Sequence, residues 1–141
     1  MSTSLRHRAR VVALQTLYEL EFAANKPDTI FKRTLEEKEL SGEAADFSAQ
    51  LLQGVIDNKK LLDESIGRFA PAFPVDQLAP MDRNILRIAL YEILVSKAVP
   101  AKVAINEAVE LAKQFGADTA PKFINGVLGS AISDTKTLRN K

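Results

Sequence analysis

Apolar residues recur along this chain at helical spacing, and no stretch of useful length alternates with the two-residue period of a strand. From about Ser4 to Ala24, the residues Ala9, Ala13, Leu17, Leu20 and Ala24 form one stripe flanked by Leu14 and Tyr18, which predicts a first helix. Asn25-Lys26-Pro27-Asp28 reads as a turn. A short amphipathic helix follows over roughly Asp28 to Leu40, with Ile30, Phe31 and Leu35 inward, and Ser41-Gly42 breaks it. The pattern then predicts one long helix from near Gly42 to about Phe69, burying Phe47, Leu51, Val55, Leu62, Ile66 and Phe69.

Pro71, Pro74 and Pro80 punctuate the link that comes next. Beyond it, Pro80 to Ser96 is apolar on most sides, as a central buried helix must be. Pro100 then opens a helix whose Ala104, Ala108, Leu111, Ala112 and Phe115 share a face. Gly116 is expected to stop that helix in the left-handed conformation. Asp118 or Thr119 is expected to cap a last helix with Pro121 in its first turn, fraying from about Asp134. The fold class is therefore all-α: a single domain, or two small packed helix bundles sharing a core, with helical subdomains about 1–70 and about 75–135 divided at the proline-rich stretch.

Composition narrows the function by exclusion. With 141 residues, 46% of them hydrophobic, the chain has material for a sizeable core. It has no cysteine and one histidine, which leaves out disulfides, thiolate metal sites and a cysteine nucleophile, and makes a histidine relay improbable. No apolar run reaches the roughly 18 residues of a membrane span, and none follows the first arginines as a signal peptide would, so the cytoplasm is the expected location. Neither a G-x-G-x-x-G nor a G-x-x-x-x-G-K-[ST] pattern occurs, and no cofactor is expected. The net charge of +1 hides a basic start at Arg6, His7, Arg8 and Arg10 and a basic end at Lys136, Arg139 and Lys141. Acids gather between them, at Glu36, Glu37, Glu39, Glu43 and Asp46.

Three polar groups stand out. Arg6 and Arg10 lie about 40° apart on a helix, with Arg8 elsewhere, and guanidinium groups suit phosphate; the same charges on a solvated terminus would touch nothing. Lys113, Thr119, Lys122, Phe123 and Asn125 flank the Gly116 corner, where a helix start attracts phosphate and an aromatic can stack on an unpaired base. On the residues alone, Phe123 reads more readily as a core residue packing on Val127 than as a contact. Asp82, Arg83, Arg87 and Glu92 are the charges of the central helix, where Arg83 and Arg87 can pair with acids across the bundle. Glu107 and Glu110 share a face but lack any companion for catalysis, and read as solvated.

The stretches V-A-I-N-E-A-V-E-L-A-K-x-F-G and K-F-I-N-G-V-L resemble the C-terminal signature of the NusB family of transcription antitermination factors. A-L-Q-T-L-Y-E near the start and D-R-N-I-L-R-I-A-L-Y-E in the central helix match the same family in order and spacing, whereas residues 26–67 carry little of the likeness. The resemblance implies a binding module with no catalytic residues. It assigns Arg6, Arg8 and Arg10 and the Gly116 corner to the boxA element of ribosomal RNA leaders. It assigns Tyr18, Asp82 and Arg83 to NusE, a ribosomal protein, with Asp82 exposed and Tyr18 either surface or core. It further implies assembly with RNA polymerase and other Nus factors. Some family members self-associate, which leaves a homodimer open. A second reading is a NusB-like piece of a ribosomal RNA cytosine-5 methyltransferase, an enzyme whose chemistry needs a cysteine this chain lacks. A third is a helical adaptor with no RNA role.

Overall fold

A computed structural model describes residues 1–139, with side chains through residue 134. Among the described residues there are seven α-helices and no strand: α1 (Thr3–Leu20), α2 (Pro27–Glu37), α3 (Gly42–Asp57), α4 (Lys59–Phe69), α5 (Pro80–Leu90), α6 (Ala101–Phe115) and α7 (Ala120–Arg139). None of these is long and apolar enough to cross a membrane. A 3₁₀ turn at Val75–Gln77 precedes α5, and a wider π-helical turn, Tyr91–Ser96, continues it. The side chains of the basic end, Lys136, Arg139 and Lys141, lie outside the described residues, and α7 runs past the expected limit near Asp134.

The chain divides into two compact units, Met1–Asp57 and Asn58–Lys141. In the first, α1 packs against α2 and α3. Ala9, Val12, Leu40 and Ala44 form a core that Phe31, Leu35 and Phe47 partly cover. Its buried hydroxyls are satisfied within the unit: Ser48 Oγ on α3 donates to the Ala9 carbonyl on α1 at 2.7 Å, and Thr16 Oγ1 to that of Val12 one turn back at 2.8 Å. Ser2 caps α1 by accepting from the Leu5 amide at 3.1 Å, and the first turn holds no acid.

In the second unit α5 is central, as expected, and is buried continuously from Asn84 to Leu90. It meets α4, α6 and α7. Arg87 clamps α4 with a two-pronged ion pair, Nε to Asp63 Oδ1 at 2.7 Å and Nη2 to Oδ2 at 3.0 Å. Its Nη1 donates to Asn84 Oδ1 at 3.0 Å, so several donors of a buried guanidinium are matched. Arg68 on α4 pairs with Asp134 on α7 at 2.7 Å.

Several features differ from the sequence expectation: α1 stops at Leu20, short of Ala24, which is exposed. The long helix is two, broken at Asn58 (φ −111°, ψ 16°), and the seam falls there instead of in the proline stretch. The reason is packing: Leu62, Ile66 and Asp63 bind α4 to the second unit, although their spacing continues the apolar phase of α3. Pro100 stands one position before α6, as its cap. Gly116 is extended (φ −91°, ψ 177°), not left-handed. Its missing Cβ serves close approach instead. A Cβ there would stand 2.6 Å from Ala120 Cβ and 2.9 Å from the Ala112 carbonyl. The left-handed turns are at Glu39, Gly42 and Lys97.

Gly116→Ala is therefore expected to cost about 1–3 kcal/mol of stability through overpacking. Gly67→Ala is the control, since a Cβ on that helical glycine meets nothing within 4 Å, and it is expected to gain about 0.5–1 kcal/mol. Urea unfolding of the two variants checks the contrast.

Candidate nucleic-acid interface

The N-terminal arginines have three separate fates. Arg6 is half-buried beside a cleft of about 290 Å³ lined by Met1, Arg6, Glu43, Asp46, Phe47 and Gln50. Its Nε is buried without a hydrogen-bond partner. Arg8 is exposed, and its Nη2 donates to the carbonyls of Lys38 (2.7 Å) and Glu39 (3.3 Å) just past the end of α2, where the helix dipole favours a cation. Arg10 is 1% exposed, with its guanidinium carbon 5.3 Å from the Phe47 ring centroid. The expectation that all three arginines face a phosphate fails at Arg10. One turn beyond Arg6, α1 has passed against α3, and Phe47 covers the position.

At the other cluster, the close approach at Gly116 sets the start of α7. The Phe123 amide donates to the Thr119 carbonyl at 3.2 Å, so Thr119 holds the cap position through its backbone. Lys113, Thr119, Lys122 and Asn125 are exposed. Lys113 also reaches Glu110 at 3.2 Å. The core positions of this helix are Ile124, Val127 and Leu128. Phe123 is half-buried at their margin, and its ring stands at 86° to that of Phe73, centroids 5.5 Å apart. An edge-to-face pair of this kind is held by the aromatic quadrupoles.

Asp82 was expected on the surface and is half-buried, because it faces that same corner. Its Oδ1 is 3.4 Å from the place a Gly116 Cβ would occupy. Burial pushes its carboxyl above the usual 3.8. Arg83 is also half-buried. Its Nη1 donates to the Leu78 carbonyl at 2.8 Å, with the carbonyls of Asp76 and Val75 at 3.4 and 3.5 Å, so it braces the preceding loop where a partner contact was expected. Tyr18 is surface, not core, and its ring lies 5.0 Å from that of Phe22, which is 65% exposed. Sequence reasoning missed Phe22 and Phe73. The available signals were an aromatic four residues after Tyr18 and another set between two prolines.

The NusB family pattern matches residues 7–133. The chain is 46% identical, over 99% of both chains, to the transcription antitermination protein NusB of Dehalococcoides mccartyi. A solved structure of Thermotoga maritima NusB superposes with a TM-score of 0.81 at 32% identity, over 88% of this chain and 87% of that one. A crystal structure of the antitermination factors NusB and NusE in complex with double-stranded RNA contains a chain that matches with a TM-score of 0.83 at 26% identity, covering 92% and 96%.

Asp82 yields a pH prediction. With its folded pKa raised, the folded state binds more protons across the window above 3.8, so stability falls as pH rises through that window. Asp82→Asn is expected to raise the melting temperature at neutral pH and to lose that advantage below pH 3.8. Thermal melts of both proteins across that range check it.

Proposed function

The chain belongs to the NusB family, and we propose that it is a transcription antitermination factor that binds boxA-type single-stranded RNA of ribosomal RNA leaders jointly with NusE. In this reading it joins RNA polymerase and the other Nus factors as a binding module and catalyses nothing. The observation that carries the RNA role is the start of α7. There an exposed lysine, an exposed amide side chain and a half-buried aromatic stand together at the positive end of a helix. Lys122 and Lys113 supply charge for phosphate, Thr119 and Asn125 supply hydrogen bonds, and Phe123 supplies a stacking face. Arg6 and Arg8 add cationic contacts from the first unit. Arg10 supports them from beneath, with Phe47. The related complex of NusB and NusE with double-stranded RNA supports NusE and RNA as classes of partner. Tyr18 with its neighbour Phe22 offers NusE an aromatic surface, and Asp82 offers a carboxylate with complementary charge for a basic ribosomal protein. Arg83 serves by bracing the loop before α5.

Replacing Arg6 and Arg8 together by alanine is expected to weaken binding of a boxA-like single strand and to flatten the log–log salt dependence by about 1.4, at about 0.7 per phosphate contact. Anisotropy titrations at several salt concentrations, with and without NusE, give the slope. An unchanged slope removes the arginines from the interface. Phe123→Ala is expected to cost roughly 1–3 kcal/mol of RNA affinity. Tyr18→Ala is expected to weaken NusE binding by calorimetry and to leave RNA binding by the isolated protein as it was.

A further inference from the structure

We propose that Phe73 is a second base-stacking residue, and that it and Phe123 together receive an unpaired RNA base. The proposal rests on the RNA reading above and extends it to a loop that reading leaves unused. Phe73 is 52% exposed, a large apolar ring left in water, and it is held edge-to-face against Phe123. Water-exposed rings on loops are ordinarily free to move. Here the backbone of the loop that carries the ring is held at three points.

The Phe73 amide donates to the Ala70 carbonyl at 3.1 Å, closing a turn that contains Pro71. Pro74 follows directly, with φ at −55°, and restricts Phe73 from the other side. Arg83 then gathers the carbonyls of Val75, Asp76 and Leu78. An ordered aromatic exposed in this way loses little further freedom when a ligand covers it.

Geometry and charge choose the ligand. Two rings at right angles form an inside corner, not a groove, so they suit one flat group better than a helix or an extended apolar segment. Lys122, exposed at the same helix start as Phe123, adds positive charge to this end of the helix, which favours a phosphate-bearing ligand. The faces of paired bases are buried in a duplex, so the base must be unpaired. Stacking accepts any base, which means Phe73 adds affinity without a hydrogen-bonded sequence code.

The test uses the full chain and a boxA-like single-stranded RNA with 2-aminopurine placed at successive positions, with and without NusE. Phe73→Ala is expected to weaken RNA binding about 5- to 150-fold and to abolish the fluorescence quenching of one 2-aminopurine. It leaves the salt slope unchanged, because no phosphate contact is lost. Phe73→Trp is expected to restore both affinity and quenching. If the parent binds RNA and Phe73→Ala binds it equally well, the proposal is overturned and the RNA reading stands. If Phe73→Ala loses NusE binding instead, the ring serves the protein partner and the proposal is likewise overturned. Equal loss of RNA affinity in the alanine and tryptophan variants with a lowered melting temperature assigns Phe73 a structural role and overturns it too. If the parent binds no single strand even with NusE, the RNA reading falls and takes this proposal with it.

Discussion

Because Gly116 carries no Cβ, Ala120 at the start of α7 can come against the last turn of α6. The start of α7 in turn determines where Thr119, Lys122, Phe123 and Asn125 point. Asp82 fills the remaining space on the α5 side of the same corner. The contact thus couples three helices of one unit in a volume where a single methyl group does not fit. Interiors at this density transmit a shift rather than absorb it. The candidate interface inherits its precision from the corner.

Charge is deployed with similar economy. Three arginines spaced two apart in sequence meet a cleft, two terminal carbonyls and an aromatic face. Two more, Arg83 and Arg87, tie α5 to the loop before it and to α4. Guanidinium serves here because its five donors form a rigid fork that satisfies several acceptors at once. Cationic residues that look alike in a sequence therefore divide by what each meets in the fold.

The class of fold was legible because the apolar period is helical almost everywhere, and the central helix announced itself by being apolar on most sides. The break at Asn58 was not legible, since Val55, Leu62 and Ile66 keep one helical phase across it while belonging to different cores. Gly116 was recognised as a helix stop for the wrong physical reason: left-handed freedom and tolerance of close contact call for the same residue. The basic start and the corner were visible as groups, but burial of Arg10 depends on Phe47, thirty-seven positions away. Phe73 was hidden because an aromatic between prolines looks the same in sequence whether its ring is covered or bare.

The start of α1 has one more consequence. Ser2 caps it, yet its first turn holds no acid, and Arg6 and Arg8 place positive charge toward the end of the helix that is already positive. Isolated, that turn works against its own dipole. Glu43 and Asp46 line the cleft beside Arg6 and supply part of the counter-charge, and a polyanion bound to Arg6 and Arg8 would add to it and strengthen the helix that holds it. Ligand affinity and the local opening equilibrium at the N-terminus are then thermodynamically linked, and occupancy should slow amide exchange in the first turns of α1 without any change in shape.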